Sequence, residues 1–396
     1  MLIELYGKKM SRTRIIYISE YLGSEYNSTS YYWTKILMNL CRSFDILVVA
    51  PASKENLLFL STAKFEYVTY DYIPFDKSSM SSRLMAYLKM CFSMYGVIKR
   101  LISKNDIVIS GTNPIFNLFF LSLLKKKFCF KWLLFGYDIF PENLIPGEVI
   151  KSINPIYQIA NFLFSKLYLS PTAIVVVGRD MQHLLMRKTN YKVPIHYIPN
   201  WADHNDTFPV ISSKSSGRVI FQFFGNMGRL QDIENILEAI PLVKNKKAYF
   251  SFVGDGAEAQ KIRDSIDRMQ DPRVVFKGAC PMSLRNEILS SCDVALISLK
   301  PKMYGLAVPS KSYFSLAANK PILVIGDVNS ELRQLVKEFK VGWDCDAGSP
   351  LKLANLIDDI CDNEGQLLRM NVRDIMIGNF SEEISLSKIN NLISML

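Results

Sequence analysis

The sequence predicts an α/β fold made of two doubly wound, Rossmann-like domains that face a central cleft. Short β-rich runs alternate with helical patterns along the whole chain, which is typical of βαβ units and parallel sheets. The length of 396 residues suits about two domains. Ligands of doubly wound domains bind where helices start at the carboxyl ends of strands, so we expect a ligand in the cleft.

Candidate strands divide evenly between the two halves of the chain. They are 14–19, 45–50, 66–70, 106–111, 131–136 and 173–178, followed by 219–225, 248–253, 274–278, 293–299, 321–326 and 341–345. Residues 201–217 are rich in Asp, Ser and Pro and lack periodicity, which predicts a linker. We therefore expect a first domain at 1–205, a second at 206–378, and an amphipathic helix at 379–396 that could cross back to the first domain.

The composition excludes several classes of protein. Apolar residues make up 49% and charged residues 21% of the chain, which excludes wholesale disorder and collagen-like repeats. The seven cysteines form no CxxC pair, and the three histidines lack metal-ligand spacing. These patterns favour reduced thiols, a cytoplasmic location and no metal site.

One uncharged stretch, residues 107–124, is nearly long enough to span a membrane. It is interrupted at 110–114, where Asn113 suits a helix N-cap and Pro114 the first helical position. The better division is a strand followed by a buried helix from Pro114.

The positive charge is concentrated in the first half. Residues 1–200 hold 24 basic and 13 acidic side chains, whereas residues 201–396 hold 23 and 24. A basic protein can be a non-enzymatic nucleic-acid binder, and this alternative stays open. We expect no nucleic-acid partner, however, because the sequence shows no recognition helix, aromatic RNA-binding strand or basic tail.

Two glycine turns follow the first two candidate strands of the second half. Gly225, Asn226 and Gly228 precede Arg229 and a helical stripe, and a turn, a cation and a helix N-terminus together attract phosphate. The second turn consists of Gly254, Asp255 and Gly256. Either turn also fits a tight βα connection that serves only the geometry of the chain.

A lysine near the start of a later helix is the third candidate element. Ser310 suits the N-cap of a helix over 311–318, and Asn319 suits its left-handed exit. Lys311 then lies in the first turn, where the helix dipole disfavours a cation. A bound anion would explain this placement, and an ordinary exposed lysine is the alternative.

Taken together, these stretches resemble the GT-B glycosyltransferases, specifically the retaining family 4 enzymes of bacterial O-antigen and capsule assembly of the Pro-Ser-Lys type. The resemblance spans nearly the whole chain in the correct order. It is carried by FFGNMGRLQDIENILEAI, FVGDGAEAQKI, RVVFKGACPMSLRNEILSSCDVALISL and VPSKSYFSLAANKPIL, and more loosely by FGYDIFPEN, VVVGRDMQHLL and YIPNWAD.

The resemblance implies a UDP- or GDP-sugar donor held mainly by the second domain and a lipid-linked saccharide acceptor that enters from the first. It places Arg229 and Lys311 at the donor diphosphate and Asp138 across the cleft near the reacting groups. The remaining residues that it implies for the donor are Gly225, Asn226, Gly228, Gly254, Asp255, Gly256, Gly278, Ala279, Cys280, Pro309 and Ser310. On the acceptor side it implies Ser28, Thr29, Ser30 and Glu142. It implies retention of anomeric configuration, with no cofactor and no metal ion.

The chain departs from the family at the ribose site. Many members have two glutamates eight residues apart, and the matching positions here are Leu306 and Phe314. Donor identity is therefore open. Nucleotide-sugar 2-epimerases use the same architecture, so an epimerase is the second alternative.

Basic and aromatic clusters in the first half suggest an anionic membrane surface. Lys125, Lys126 and Lys127 stand beside Phe128, Phe130 and Trp132, and the methionine-rich stretch 80–94 is flanked by Arg83, Lys89, Lys99 and Arg100. We expect peripheral association with the inner face of the plasma membrane. The alternative is that the aromatic residues belong to a helix core and that the lysines form a solvated face.

Overall fold

Two parallel β-sheets, each covered by helices, form the framework of a computed structural model. It describes residues 13–23, 28–75, 80–146, 151–210, 217–367 and 369–396. Within these ranges the first sheet has seven strands and the second six. The predicted fold class is confirmed.

All neighbouring strands of the first sheet run parallel. The strands are Arg14–Ile18 (β1), Asp45–Pro51 (β2), Glu66–Tyr70 (β3), Ile107–Gly111 (β4), Lys131–Phe135 (β5), Ala173–Val176 (β6) and Ile195–Tyr197 (β7). Their order is β3-β2-β1-β4-β5-β6-β7. The chain reverses direction across the sheet between β1 and β4, which is where doubly wound domains bind ligands.

The second sheet is also parallel. Its strands are Val219–Phe224 (β8), Ala248–Val253 (β9), Val274–Gly278 (β10), Val294–Ser298 (β11), Ile322–Gly326 (β12) and Gly342–Asp346 (β13). The order β10-β9-β8-β11-β12-β13 places the switch point between β8 and β11.

Helices connect successive strands and cover the sheets. In the first domain they are Ser28–Leu40 (α1), Lys54–Ala63 (α2), Met80–Leu101 (α3), Asn117–Phe128 (α4), Pro155–Leu167 (α5) and Arg179–Lys188 (α6). Beyond it they are Ile233–Ala239 (α7), Ala259–Met269 (α8), Arg285–Ser290 (α9), Lys311–Ala317 (α10), Glu331–Phe339 (α11), Pro350–Asp362 (α12), Glu364–Leu367 (α13), Val372–Phe380 (α14) and Glu382–Met395 (α15). Among the helices so described, none is long and apolar enough to span a membrane.

The predicted strands agree with the observed ones to within two residues at either end. Strand β7 is an addition, because three residues are too few for a period-2 pattern to stand out. The helix expected from Pro114 begins instead at Asn117. Asn113 does not cap it, because its side-chain amide donates to the carboxylate of Asp138.

Part of the expected membrane surface of the first domain is wrong. Phe130 and Trp132 are buried in the core, as are Met90 and Met94. The amino group of Lys125 donates to the hydroxyl of Thr172 at 2.6 Å. Those side chains do not face a bilayer.

A polar junction joins the two domains. Buried Asp180 accepts hydrogen bonds from the backbone N–H groups of Gly305 at 3.0 Å and Glu331 at 3.2 Å. Arg179 forms an ion pair with Glu331, Nε to Oε2 3.0 Å, and Tyr197 donates to the same carboxylate at 2.7 Å. Because Glu331 is buried and saturated with partners, breaking this junction is costly.

The chain crosses back to the first domain near its end. Helix α14 packs against α10 of the second domain, whereas α15 packs against α1 of the first. The change occurs at Ser381, which forms an isolated bridge with Ala202 of the outgoing crossing. The two crossings therefore lie side by side.

Candidate active site

The two glycine turns of the second domain form one packed structure. Gly225 and Gly254 have φ values of +109° and +146°, a region that favours glycine. A Cβ atom on Gly254 would lie 1.9 Å from the carbonyl oxygen of Gly225. The N–H of Met227 donates to the carbonyl of Asp255 at 2.8 Å. A side chain at Gly254 would force the two turns apart, whereas Gly225 is required by its positive φ alone.

The third strand end continues this edge. The N–H of Gly254 donates to the carbonyl of Gly278 at 2.7 Å. Beyond it, Ala279 is exposed and Cys280 half-buried. Because β8, β9 and β10 are parallel neighbours, their carboxyl ends lie along one edge of the sheet.

Lys311 lies close to the carboxyl end of β8, the first of these strands. It is the first residue of α10, and its Nζ atom lies 3.4 Å from the ring centroid of Phe223, two residues before Gly225. Although part of the residue is exposed, the Nζ atom is buried and has no hydrogen-bond partner in the described ranges. Burial lowers the pKa of the amino group well below its usual value. A desolvated cation without a counter-ion is unfavourable, so this lysine is ready to receive an anion.

The turn before α10 differs from the prediction. Ser310 has helical backbone angles, φ −64° and ψ −24°, and its side chain makes no capping bond within the described chain. Burial raises the pKa of Tyr32 in the first domain, and the nearby Ser310 side chain opposes this shift. The carbonyl of Pro309 accepts from the hydroxyl of Ser312 at 2.7 Å. The predicted left-handed exit at Asn319 is confirmed, with φ +57°.

Arg229 lies in a more open position than Lys311. Its side chain is 74% exposed, and its Nε atom lies 3.5 Å from Glu258 Oε1. It belongs to the short 3₁₀ turn Arg229–Gln231, and Asp232 follows in a left-handed conformation without capping α7 by its side chain in the described structure. Gly228 and Arg229 border a groove of about 560 Å³ between α7 and α8. The residues that line the groove all belong to the second domain, and Lys311 is not among them.

Across the cleft, Asp138 follows β5 at the carboxyl edge of the first sheet. Its N–H donates to the Thr112 hydroxyl at 3.2 Å, and Asn113 donates to its carboxylate. Burial raises the pKa of Asp138, and hydrogen bonds from Asn113 and Asn143 oppose the shift. A carboxylate held in this way can accept a hydroxyl hydrogen.

Glu20 is a second carboxylate at this edge, and the sequence analysis missed it. It follows β1, is buried, and has one oxygen, Oε2, without a partner among the described residues. Burial raises its pKa to about 7; hydrogen bonds to Tyr21 and Tyr87 oppose this, and the nearby charge of Asp138 adds to it. Its place directly after a predicted strand was the available signal.

The structure places the other acceptor-side candidates in different environments. Ser28, Thr29 and Ser30 form the first turn of α1, with Ser28 exposed and Ser30 buried. The ring of Tyr31, the next residue, meets that of Phe314 in α10 at 5.5 Å between centroids. This turn of α1 therefore faces the start of α10.

Glu142 is engaged elsewhere in the first domain. Lys188 donates to Glu142 Oε1 at 2.6 Å and to Asn161 Oδ1 at 2.5 Å. The side chain of Lys188 is almost fully buried. Glu142 thus neutralises a buried lysine, which is a structural task.

Arg285 is a cation near α10 that the sequence analysis did not single out. Its guanidinium lies 5.1 Å from the ring centroid of Phe314, within cation–π range. Its Nε atom is buried and lacks a partner in the described structure. Phe314 stands where the related enzymes have their second glutamate, so the chain has an arginine on an aromatic ring in that region. The described residues contain no cluster of three or more His, Cys, Asp or Glu side chains that could hold a metal ion.

Comparison with known proteins identifies the family. The family described as "Glycosyl transferases group 1" matches residues 218–363. The "Probable glycosyltransferase WbjE" of Pseudomonas aeruginosa is 38% identical over 384 residues, which cover 95% of this chain and 96% of that protein.

Solved structures share the fold at low sequence identity. Anabaena HepE in complex with UDP and glucose has a TM-score of 0.73 at 14% identity and covers 97% of this chain and 100% of its own. The lipopolysaccharide outer core galactosyltransferase WaaB has a TM-score of 0.69 at 14% identity with the same coverage. The two facing Rossmann-like domains, the glycine turns and the long alignment with a curated relative agree, and the chain belongs to the group 1 glycosyltransferases of GT-B fold.

Proposed function

We propose that this glycosyltransferase moves a sugar from a UDP- or GDP-sugar to a lipid-linked saccharide during bacterial surface polysaccharide synthesis. One observation carries the donor half of the proposal. The buried amino group of Lys311 has no counter-ion in the described structure and lies against the ring of Phe223, two residues before Gly225, where the backbone is open. That combination fits a diphosphate.

The chemistry requires charge to be stabilised on the leaving group. As the bond from the sugar to the β-phosphate breaks, negative charge grows on the departing nucleoside diphosphate. Lys311 and the backbone amides near Gly225 meet that charge in a desolvated site, and a preorganised contact of this kind lowers the barrier by about 3 kcal/mol. Arg229, which is exposed, supplies a weaker and more adaptable contact.

The first domain supplies the acceptor side. Asp138 and Glu20 lie at the carboxyl edge of its sheet, where an acceptor hydroxyl must approach the donor. Their carboxylates orient that hydroxyl. The first turn of α1, with Ser28 and Thr29, borders the same opening because Tyr31 contacts α10.

Several finer parts of the proposal rest on the family resemblance. These are membership of family 4, retention of anomeric configuration, and catalysis without a metal ion or cofactor. The name of one structural neighbour supports the polysaccharide setting, since it is a lipopolysaccharide outer core galactosyltransferase. A lipid-linked acceptor implies that the protein works at the inner face of the plasma membrane.

The test has two stages. In the first, thermal unfolding is followed with UDP, GDP and their sugars, and we expect one nucleotide series to raise the melting temperature, because a ligand that binds only the folded state stabilises it. In the second, nucleoside diphosphate release is measured with and without lipid-linked saccharide. Release that depends on the acceptor supports a transferase, whereas release with donor alone and inversion of the sugar at C2 would indicate an epimerase.

The position of the donor can be checked directly. A crystal soaked with the stabilising nucleotide sugar should place the diphosphate between Lys311 and Gly225. A diphosphate found elsewhere would contradict the assignment even if the protein proved to be a transferase.

A further inference from the structure

Three helices at the surface of the first domain carry many large apolar side chains that are exposed to solvent. Helices α3, α4 and α5 pack side by side over the same face of the first sheet. We call their outer surface the α3–α5 face, and its exposed apolar side chains are Leu84, Met85, Leu88, Phe92, Phe119, Leu123, Ile153, Ile156, Ile159, Phe162 and Leu163. Exposed apolar side chains in this number on neighbouring helices mark an interaction site.

Helix α5 is the most exposed part of this face. Ile153, just before the helix, is 83% exposed, Ile156 is 69% exposed and Phe162 is 63% exposed. Residues spaced by three or four positions lie on one side of a helix, so these side chains form a stripe. Of the 13 residues in α5, Tyr157 is the buried one in the described structure. The stripe is therefore not part of the core.

The charge of the same three helices has a single sign. The sequences of α3, α4 and α5 contain eight Lys and Arg residues and no Asp or Glu. In each helix one lysine lies over an aromatic ring: Lys99 over Tyr95, Lys127 over Phe128 and Lys166 over Phe162, at 5.9, 5.4 and 5.4 Å to the centroids. One cation of each helix is thus held beside an aromatic ring.

This combination selects among possible occupants. A second copy of the chain would bring two surfaces of the same charge together, which is unfavourable for a self-complementary interface. An anionic bilayer supplies both an apolar interior and negative headgroups, which is what an amphipathic basic surface binds. We propose that the α3–α5 face docks on an anionic lipid bilayer, with the stripe of α5 inserted among the acyl chains and the lysines at the headgroups.

The orientation of the helices gives this docking a consequence for the acceptor. Each helix leaves the carboxyl end of one strand and returns to the start of the next, so its first half lies near the cleft edge and its last turn at the opposite edge. The apolar side chains lie mainly in the first halves, whereas the last turns carry Lys99, Arg100, Lys126, Lys127 and Lys166. The inserted part is therefore next to the edge that holds Asp138. This inference deepens the proposed function and rests on its lipid-linked acceptor.

The experiment measures flotation with vesicles of phosphatidylglycerol and phosphatidylcholine, and with vesicles of phosphatidylcholine alone. We expect the native protein to float with the anionic vesicles at low salt. The triple variant Ile156→Ser, Ile159→Ser, Phe162→Ser should bind them at least about tenfold more weakly, because three inserted apolar side chains are lost. The matched control Leu58→Ser, Leu351→Ser changes exposed apolar residues outside this face and should bind like the native protein.

A charge series separates the two components. Lys126→Glu with Lys127→Glu should lower binding to anionic vesicles, whereas Lys246→Glu with Lys337→Glu, in the second domain, should not. Native protein that stays at the bottom of the gradient, or a triple variant that floats as well as the native protein, would overturn the proposal. The triple variant could also bind vesicles like the native protein and differ from it only in how it sediments without vesicles. That result would point to self-association through this face and would overturn the proposal as well. Stabilisation by a nucleoside diphosphate is measured on the same preparations, so failure of docking is distinguishable from failure of the transferase assignment.

Discussion

The cleft edges of the two domains are built from the same architecture but carry opposite chemistry. In the second domain the strand ends are glycine turns with an unpartnered, desolvated lysine beside them. In the first domain the corresponding edge carries the buried carboxyl group of Glu20 and the half-buried one of Asp138, each with a raised pKa. The first edge suits a hydroxyl group and the second a diphosphate. Under the proposed function, this difference lets one shared fold hold the donor at one edge and the acceptor at the other through the side chains at its strand ends.

The largest expected effect comes from removing the cation. Lys311→Met should lower kcat/KM about 100- to 1,000-fold, which corresponds to about 3 to 4 kcal/mol of lost transition-state stabilisation. Because the native amino group is buried without a counter-ion, the melting temperature of the ligand-free variant should stay the same or rise. Steady-state kinetics and calorimetry check both. A variant with reduced stability and normal turnover would show that Lys311 serves the fold, and Lys246→Met is the exposed control.

The second effect concerns the first domain. Glu20→Gln should lower turnover by about 10- to 100-fold while leaving stabilisation by the nucleoside diphosphate unchanged, since positioned proton acceptors contribute on this scale. The split between turnover and donor binding is the critical measurement. Equal loss of both would mean that the edge has no separate acceptor role.

The same residue gives a pH dependence with a definite sign. The pKa of Glu20 is raised to about 7, so the carboxylate is protonated below that pH and ionised above it. Turnover should therefore rise as the pH increases through about 7, and the rise should disappear in Glu20→Gln. A pH profile of kcat for both proteins tests this. An identical rise in the variant would assign the titration to another group.

Arg229→Ala should have a smaller effect than Lys311→Met. Its side chain is 74% exposed, and exposed charges are screened by solvent. We expect a decrease in kcat/KM of about tenfold that shrinks as the salt concentration increases. Measurements at two ionic strengths decide the matter, because a large loss that salt does not change would place Arg229 in a closed, desolvated site.

The smallest expected effect is that of metal removal. If Lys311 and the backbone amides neutralise the leaving group, turnover measured after extensive dialysis against EDTA should equal that in added Mg²⁺. Activity that is lost in EDTA and restored by a divalent cation would assign part of that charge to a metal.

The sequence predicted the elements that depend on local pattern. The strands alternate with helices at regular intervals, and the glycine turns stand where tight βα connections need positive φ values. The first-turn placement of Lys311 also followed from local spacing. These features are recorded in a few consecutive residues, which explains why they could be read without a structure.

Other features depend on residues that are distant in sequence. Phe223 buries Lys311, and Tyr87 and Asp138 surround Glu20, so neither environment follows from a neighbouring pattern. The exposed stripe of α5 was missed for the same reason. Its apolar spacing is that of a core helix, and tertiary packing decides that it faces outward.

The paired crossings between the domains restrict how the enzyme can close. Ala202 and Ser381 bridge where the chain leaves the first domain and where it returns, and the hydroxyl of Ser385 donates to the carbonyl of Pro199 at 3.2 Å. Two domains connected by two adjacent chain crossings can rotate about the line through the crossings but resist twisting. Donor and acceptor would then approach each other along one fixed path. A substitution that separates the two crossings should therefore disturb the alignment of the substrates more than it weakens their binding.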